Sequence, residues 1–372
     1  MKKILIIFGT RPEAIKMAPL VKEFLKHPDK FDTKVCVTAQ HREMLDQVLD
    51  FFEIKPDYDL NLMKPGQNLF TLTADVIVSM KPVFEDFKPD YVFVHGDTTT
   101  STAAALSSFY AGIKVCHVEA GLRTNNKLSP FPEEMNRQLT GRLADLHFAP
   151  TEQAKINLLL EGISPKSIFV TGNTVIDALL YAKDKVEEVD DDQIESLKTI
   201  IDKSKDLVLV TGHRRENFGD GFINICKALN QLALQENVQI IYPVHLNPNV
   251  QKPVNEILEK TKDVHLINPL AYPAFVWLMK QSKIIITDSG GVQEEAPSLG
   301  KPVLVMRDTT ERPEAIEAGT VILVGTDTSE IVNQATSLLN NNHLYEKMSK
   351  SHNPYGDGLA SGIIIDCLLK SN

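Results

Sequence analysis

The feature that most restricts the fold of this chain is a repeated alternation of short apolar runs with helical segments. The runs are rich in valine and isoleucine and fall into two series, at residues 4–8, 33–38, 91–95, 114–118, 146–150 and 168–172, and at 207–211, 239–244, 264–268, 283–287, 302–306 and 321–325. They are almost continuously apolar, as in strands that are buried on both faces of a parallel sheet. Each is followed by a turn and then a helix, which predicts an α/β protein built from repeated βα units.

A highly charged segment that is poor in aromatic residues, 181–206, separates the two series, and 372 residues are enough for two domains. We therefore predict an N-terminal Rossmann-like domain over residues 1–180 and a C-terminal one over 181–356. A ligand cleft is expected between them, at the carboxyl ends of both sets of strands. The composition of 181–206 leaves open whether it is a linker or an exposed helix.

The composition favours a soluble cytoplasmic protein without a nucleic-acid or membrane partner. The formal net charge is -10 and the pI is about 5.5, and no basic stripe is visible. The first apolar run is too short for a signal peptide, and no run approaches membrane length. The four cysteines form no C-x-x-C pair, as expected of reduced core thiols.

The stretch 287–315, TDSGGVQEEAPSLGKPVLVMRDTTERPEA, indicates a nucleotide site. Its adjacent glycines, Gly290 and Gly291, let the backbone approach a ligand, and a helix beginning there directs free N–H groups at a phosphate. Glu294 and Glu295 would repel a bare phosphate, so one of them is expected to face a hydroxyl-bearing group such as a ribose. A Gly-Gly turn that only tightens a βα joint would show the same residues.

Charged residues also follow the strands of the first series. Arg11 and Lys16 come after the first strand, in GTRPEAIK, where they could clamp a diphosphate. Asp97 follows the third strand and Glu119 the fourth. The structural alternatives are a solvated loop for Arg11 and a helix cap for Asp97.

The segment PFPEEMNR places Glu133 and Glu134 in the first turn of a helix that begins near Pro132. The helix dipole favours acidic residues there, so either carboxylate could be purely structural. Glu133 also precedes Arg137 by four residues, a spacing that predicts an ion pair between them.

The second series continues the pattern, with the polar run GHRREN after the strand 207–211 and His245 at the end of the next strand. Asp97, Glu119 and Glu133 would then face histidine and arginine side chains. Grouped carboxylates shift each other's pKa, which suits acid–base chemistry, and histidine can neutralise a phosphate leaving group near pH 7. No G-x-G-x-x-G, Walker, G-x-S-x-G, H-E-x-x-H or C-x-x-C motif points to another chemistry.

Six blocks in this order resemble the non-hydrolysing bacterial UDP-N-acetylglucosamine 2-epimerases: GTRPEAIKMAPL, HGDTTTS, EAGLRT, PFPEEMNR, HRREN and the stretch 287–315. The resemblance runs from residue 3 to about residue 358. It implies the two-Rossmann-domain fold called glycosyltransferase B, with a C-terminal helix, about 357–372, packed on the first domain. It also implies a homodimer that uses no NAD or metal and interconverts UDP-N-acetylglucosamine (UDP-GlcNAc) and UDP-N-acetylmannosamine (UDP-ManNAc) for cell-surface polysaccharide synthesis.

The implied chemistry avoids oxidation. The C2 proton of the sugar is not acidic, because C2 carries no adjacent carbonyl, and the sequence shows no nicotinamide fingerprint. UDP can instead leave C1 as the C2 proton is removed, which gives 2-acetamidoglucal. UDP then adds back while C2 is reprotonated from the other face, which requires carboxylates near C2 and cations on the diphosphate.

The resemblance assigns roles to matching positions. Acid–base work matches Asp97, Glu119 and Glu133, and phosphate handling matches His213. The nucleotide contacts match Arg11, Lys16, Leu270, Phe275, Ser289, Gly290, Gly291, Glu295 and Arg312. Among these, Phe275 would stack near uracil, although F-V-W-L on a helix is usually core, and Glu295 would bind the ribose.

Some members of that family bind a second substrate molecule as an activator. The matching positions are Gln40, His41, Arg214, Glu216 and His245. Glu43 and Gly66 depart from the glutamine and arginine of those members, which puts activation in question for this chain.

Other functions fit the same residues less well. A hydrolysing 2-epimerase would release UDP and free N-acetylmannosamine. A glycosyltransferase of the same fold would need an acceptor, and a non-catalytic UDP-sugar sensor would not need the three carboxylates.

Overall fold

The computed structural model describes residues 1–39, 42–64, 66–310 and 312–370. Their contacts separate an N-terminal unit from a C-terminal unit. The N-terminal unit comprises the described residues of Met1–Ala178 and Tyr355–Asn372, and the C-terminal unit comprises those of Leu179–Pro354.

Strands and helices alternate along the N-terminal unit. In chain order they are β1 (Lys2–Phe8), α1 (Arg11–Leu25), β2 (Phe31–Val37), α2 (Arg42–Phe51), β3 (Tyr58–Asp59), α3 (Leu69–Phe87), β4 (Tyr91–His95), α4 (Thr99–Tyr110), β5 (Lys114–Val118), α5 (Glu133–Leu143), β6 (Leu146–Ala149), α6 (Glu152–Leu160), β7 (Ile168–Val170) and α7 (Thr174–Lys185), which continues past the end of the unit. The strand order is β3-β2-β1-β4-β5-β6-β7, and all neighbours are parallel.

The C-terminal unit repeats this arrangement. Its elements are α8 (Asp192–Ile200), β8 (Asp206–Thr211), α9 (Asp220–Leu232), β9 (Val238–Pro243), α10 (Pro248–Leu258), β10 (Val264–Ile267), α11 (Tyr272–Gln281), β11 (Ile284–Thr287), α12 (Gly290–Glu295), β12 (Val303–Val305), α13 (Pro313–Glu317), β13 (Val321–Leu323), α14 (Thr328–Asn340) and α15 (Asn342–Ser349), and α16 (Ala360–Lys370) follows in the chain. The strand order is β10-β9-β8-β11-β12-β13, again parallel throughout.

The predicted α/β class with two parallel sheets is confirmed. Strands β4 and β11 are buried along their whole length, as required where helices cover both faces of a sheet. In each sheet the order reverses beside the first strand of the series, between β1 and β4 and between β8 and β11. The loops after such a pair of strands form the usual ligand site of a doubly wound sheet.

The charged segment that the composition left open contains α8, an amphipathic helix that buries Ile194 and Leu197. It is therefore not an extended linker over those residues. The apolar pair that anchors this helix is hard to recognise in the sequence, because charged residues of the exposed face surround it.

The C-terminal segment belongs to the N-terminal unit, where α16 packs against α1. The carboxylate of Asp177 accepts hydrogen bonds from the backbone N–H groups of Ala360 (3.3 Å) and Ser361 (2.7 Å), which satisfies donors that the start of α16 would leave unpaired. The backbone N–H of Asn173 donates to the carbonyl of Tyr355 at 2.7 Å. Two separate contacts therefore join this segment to the loop after β7 and to the first turn of α7.

Candidate active site

A buried carboxylate fixes the loop after β1. Glu13 is 1% exposed and accepts hydrogen bonds from the backbone of Gly9 (3.1 Å) and Thr10 (2.8 Å) and from the hydroxyls of Thr98 (2.6 Å) and Ser101 (2.9 Å). Burial raises the pKa of Glu13 despite these bonds. Because Thr10 and Thr98 are the N-caps of α1 and α4, this single carboxylate joins two helix N-termini.

That junction places the first two predicted ligand contacts. Arg11 is the first residue of α1, and Lys16 lies in its second turn. The ammonium group of Lys16 forms an ion pair with the carboxylate of Glu119. The sequence predicted both residues near the site but did not predict this pair.

Glu119 directly follows β5 and has a left-handed φ of 60°, which is costly for a residue with a side chain. Besides Lys16, its carboxylate accepts a hydrogen bond from Asn173 Nδ2 at 2.9 Å and lies 3.7 Å from His95 Nε2. Burial, the largest influence, would raise the pKa of Glu119, but Lys16, through its charge and its hydrogen bond, acts together with His95 and Asn173 to lower the pKa well below its ordinary range. Burial also lowers the pKa of His95 to about 4, so the histidine is neutral at pH 7.

Asp97, two residues after β4, has a pKa that is shifted in the direction opposite to that of Glu119. Its carboxylate forms an ion pair with Arg137 of α5, and its carbonyl accepts a hydrogen bond from Asn136 Nδ2 at 2.9 Å. Burial raises the pKa of Asp97, against the charge of Arg137 and together with that of Glu119. The site thus contains two neighbouring carboxyl groups whose pKa values are shifted in opposite directions.

The two acidic residues at the start of α5 differ in their surroundings. Glu134 is fully buried and accepts hydrogen bonds from the backbone of Thr124 (3.0 Å) and Asn125 (3.1 Å), which makes it structural. Glu133 is half-buried, and its carboxylate makes no hydrogen bond or ion pair within the part of the chain that the structure describes. The predicted ion pair between Glu133 and Arg137 is wrong, because Arg137 turns to Asp97 and Glu134.

Asn173 and His95 are the residues of this cluster that sequence reasoning missed. Asn173 follows β7 by three residues, so the rule that found Asp97 and Glu119 after their strands could have found it. His95 is the last residue of β4, and its sequence context does not distinguish it from a core histidine.

The Ser-Gly-Gly turn begins α12, with Ser289 as its N-cap and Gly290 and Gly291 as its first residues. A Cβ on Gly290 would lie 2.5 Å from Cζ of Arg312, so any larger residue would displace that guanidinium group. Arg312 Nε donates to the buried carboxylate of Glu294 at 2.7 Å. Glu294 therefore holds Arg312 against the start of α12.

The remaining predicted nucleotide contacts lie in the same unit. Glu295 is 8% exposed and accepts a hydrogen bond from the Tyr272 hydroxyl at 3.4 Å. Phe275 is half-buried, whereas the next residues on α11, Val276 and Trp277, are buried, so its ring is not simply core. Leu270 lines a cavity of about 610 Å³ beside α8 and the end of β10.

The polar run after β8 is fastened to the end of β11 by Asp288, another residue that the sequence analysis missed. Its Oδ2 accepts hydrogen bonds from the backbone N–H groups of His213 and Arg214, both at 2.8 Å. The His213 ring stacks on His245, with centroids 5.1 Å apart. Burial lowers the pKa of His213, and His245 and Arg214 add to this effect while Asp288 opposes it.

The positions predicted for an activating molecule are only partly described. Arg214 and His245 lie beside His213, and Glu216 accepts a hydrogen bond from Arg307 Nε at 2.6 Å. Gln40 and His41 lie outside the described residues, as does the side chain of Glu43. Gly66 is exposed, with a φ of 70°.

Over the described ranges, no group of three or more histidine, cysteine, aspartate or glutamate side chains is arranged to hold a metal ion. Among the same residues, no helix is both long and apolar enough to span a bilayer.

Sequence comparison finds a family model and relatives that cover nearly the whole chain. The family model described as UDP-N-acetylglucosamine 2-epimerase matches residues 23–369. The UDP-N-acetylglucosamine 2-epimerase of Escherichia coli (strain K12) is 58% identical over 369 residues, which is 98% of this chain and 98% of that protein.

Solved structures extend the likeness to the fold. The UDP-GlcNAc 2-epimerase of Neisseria meningitidis bound to UDP-GlcNAc matches with a TM-score of 0.91 at 55% identity, over 99% of this chain and 100% of that one. S. aureus MnaA, in a co-structure with UDP, matches with a TM-score of 0.87 at 47% identity, over 99% of this chain and 96% of that one. The similarity therefore covers both units.

Proposed function

Because the chain belongs to the UDP-N-acetylglucosamine 2-epimerase family, we propose that it interconverts UDP-GlcNAc and UDP-ManNAc without hydrolysing either. The observation that carries the proposal is the pair of carboxyl groups after β4 and β5, Asp97 and Glu119, whose pKa values are shifted in opposite directions. Environments that separate the pKa values of neighbouring acids suit a proton carrier and a fixed anion in one site. The N. meningitidis relative, solved with UDP-GlcNAc, supports the choice of substrate.

In the proposed reaction a carboxylate removes the C2 proton while the bond between C1 and the UDP oxygen breaks. The electron pair of the C2–H bond becomes the C1–C2 double bond of 2-acetamidoglucal, and UDP leaves with the electron pair of the C1–O bond. UDP then attacks C1, and C2 takes a proton from the opposite face. Atoms and electrons balance without an oxidant.

We assign proton transfer at C2 to Asp97 and Glu133, and a fixed negative charge to Glu119. The raised pKa of Asp97 favours a group that can hold a proton near neutral pH. Glu119, kept ionised by Lys16, would stabilise the positive charge that develops at C1 as UDP leaves. Lys16 thereby contributes through Glu119, in addition to the nucleotide contact that the family resemblance implies.

The UDP moiety is assigned to the loops after β8, β10 and β11. The backbone N–H groups of Gly290 and Gly291 would bind the diphosphate, because a helix start directs unpaired donors and positive dipole at an anion. The side chains proposed to act with them are His213, Arg312 and Arg11 on the phosphates, Glu295 on the ribose, and Phe275 and Leu270 on the base.

Proton NMR of UDP-GlcNAc with the protein in D₂O tests this function. We expect UDP-ManNAc to appear with loss of the C2 proton signal and without free sugar. Free N-acetylmannosamine in step with UDP would show a hydrolysing enzyme, turnover only with an added acceptor would show a glycosyltransferase, and no turnover would leave a sugar-binding protein. A parallel run started from pure UDP-ManNAc tests substrate activation, since turnover without added UDP-GlcNAc excludes a strict requirement.

The same spectra test the three carboxylates. We expect Asp97→Asn and Glu133→Gln each to lower the rate by about 10²–10⁴-fold, the usual effect of losing a positioned acid or base. We expect Glu119→Gln to lower it by about 10²–10³-fold through the loss of its fixed charge. Glu152→Gln, which changes a carboxylate that is 69% exposed on α6, is the control and should keep the wild-type rate. Deuterium uptake at C2 at the normal rate in all three site variants would contradict the assignment.

We also propose that the protein is a homodimer, as its family resemblance implies. Helices α3 and α4 line a largely apolar groove of about 750 Å³. Val78, Phe109 and Tyr110 on these helices are 72%, 60% and 70% exposed. Apolar patches of this kind mark association surfaces more often than free surface.

A further inference from the structure

Asp288 is a buried carboxylate that the proposed reaction leaves without a role. It is fully buried, and the hydrogen bonds of its side chain all involve Oδ2, which accepts from the backbone of His213 and Arg214 and, at 3.4 Å, from Asn217 Nδ2. Within the part of the chain that the structure describes, Oδ1 is buried without a hydrogen-bond partner. An unpaired carboxylate oxygen is costly to bury, so this atom requires a donor.

The unpaired oxygen lies on the side of the His213 ring. His213 Nδ1 is 3.7 Å from Asp288 Oδ1, too far for a hydrogen bond but within a small ring rotation of one. The ring is 46% exposed and is held by stacking on His245, with an interplanar angle of 14°. His213 can therefore turn towards Asp288 without leaving its loop, because the backbone of that loop is already fixed by Oδ2.

We propose that Asp288 is a positioning residue for His213, whose Nδ1–H donates to Asp288 Oδ1 so that Nε2 points to the leaving phosphate oxygen. This rests on the proposed role of His213 in handling the diphosphate. A carboxylate behind an imidazole selects the tautomer with the proton on Nδ1 and stabilises the imidazolium that forms when Nε2 takes a proton. The groups that face the ring are Asp288, His245 and Arg214, and of these Asp288 alone favours protonation.

His245 provides an internal reference. Its Nδ1 accepts a hydrogen bond from the backbone N–H of Asn247 at 3.1 Å, so its neutral ring carries the proton on Nε2. The two stacked histidines are therefore expected to be opposite tautomers, and a single spectrum of the protein compares them.

Nitrogen-15 NMR of the full chain, labelled at histidine and recorded over a pH series, tests the proposal. His213→Asn and His245→Asn identify the two resonances. In the wild type we expect the Nδ1–H tautomer for His213 and the Nε2–H tautomer for His245. An Nε2–H tautomer at His213 overturns the proposal, whether or not the protein proves to be an epimerase.

The Asp288→Asn variant gives the second readout. The amide oxygen can still accept from the backbone of His213 and Arg214, while the NH₂ group replaces Oδ1 and would force Nδ1 to accept. We expect His213 to switch to the Nε2–H tautomer, its pKa to fall, and kcat to drop about 10²-fold or more with a smaller change in KM. Asp206→Asn, which removes a carboxylate paired with Lys283 at 2.7 Å in the same unit, should change none of these. An unchanged tautomer and pKa in folded Asp288→Asn would also overturn the proposal.

Discussion

Three residues from separate parts of the N-terminal unit hold the carboxylate of Glu119: Lys16 on α1, Asn173 after β7 and His95 at the end of β4. Lys16 supplies charge and Asn173 supplies a directed hydrogen bond. The backbone of Asn173 is itself held by the carbonyl of Tyr355. The orientation of the Glu119 carboxylate thus depends on Asn173, a neutral residue that is not among the proposed nucleotide contacts.

We expect the Asn173→Asp substitution to lower activity, and we expect the size of the loss to depend on pH. Above the pKa values of both acids, the new carboxylate repels Glu119 in place of donating to it, and activity should fall about 10²-fold. A like charge raises the pKa of such a pair, so as the pH falls one proton is shared and much of the loss should be recovered. The measurement is the profile of kcat/KM from pH 5 to pH 9.

Two further variants serve as controls for the pH profile of Asn173→Asp. Asn173→Ala lacks both the donor and the charge, so it should be impaired at every pH. Asn157→Asp alters an amide that donates to the carbonyl of Gly121 at 2.9 Å rather than to a carboxylate, and its profile should run parallel to that of the wild type. An Asn173→Asp profile parallel to the wild type would show that Asn173 does not act on Glu119.

The sequence could predict which residue types stand at the site but not how they pair. Asp97 and Glu119 could be found because a charged residue within two positions of the end of a buried strand has few structural uses. Arg137 was assigned the wrong partner because helical spacing reports only neighbours on its own helix, whereas the fold brings the loop after β4 to the same guanidinium. Asp288 was missed because the adjacent glycines, Gly290 and Gly291, indicated a site formed by backbone N–H groups, and such a site does not require a carboxylate.

Among the elements, the N-termini of α1 and α4 share one carboxylate. Glu13 completes the capping box of α1 with Thr10 and also binds the N-cap of α4. Arg11 directly follows the first of these caps, Thr10, and Asp97 directly precedes the second, Thr98. The placement of Arg11 and Asp97 therefore depends on a residue to which the proposed reaction assigns no role.

We expect Glu13→Ala to destabilise the N-terminal unit by about 2–4 kcal/mol, because it leaves buried backbone and hydroxyl donors without an acceptor. Urea unfolding followed by a probe in that unit measures this change. Glu152→Ala on α6, where the side chain is 69% exposed and paired with Lys155 at 3.0 Å, should change stability by less than about 0.5 kcal/mol. Equal effects of the two substitutions would show that the shared cap does not stabilise the unit.

Elements were predictable where hydrophobic pattern and burial coincide. The apolar runs became strands because both faces of each sheet are covered. The two-residue strand β3 was missed, since Tyr58–Asp59 lies at the sheet edge and has no apolar pattern of its own. Helix α8 was left undecided because its charges outnumber the two apolar residues that anchor it.

For the whole molecule, the proposed dimer predicts a mass of twice the 41.5 kDa of one chain. A stable interface buries about 800 Å² on each partner, and aromatic residues at its centre contribute most. We expect the double substitution Phe109→Glu and Tyr110→Glu to give a folded monomer, because it buries two charges in an apolar contact. Light scattering over a concentration series measures the mass.

Leu160→Glu is the matched control, since it adds a charge at an apolar residue of α6 that is 81% exposed and lies outside the proposed groove. It should leave the mass at two chains. A dimer that survives the double substitution would move the interface elsewhere, and a wild-type monomer would contradict the proposal itself.

Only the family resemblance predicted that the C-terminal segment packs on the N-terminal unit. No pattern in residues 355–370 indicates which unit they join. Their place also sets the order of events on the ribosome. The ribosome makes residues 1–178 before Leu179–Pro354, and it makes α16 only after both. At roughly 5–20 residues per second, this delay is about 10–35 s. During that time the C-terminal unit can close its sheet, while the side of α1 that α16 will cover remains open to chaperones that bind nascent chains.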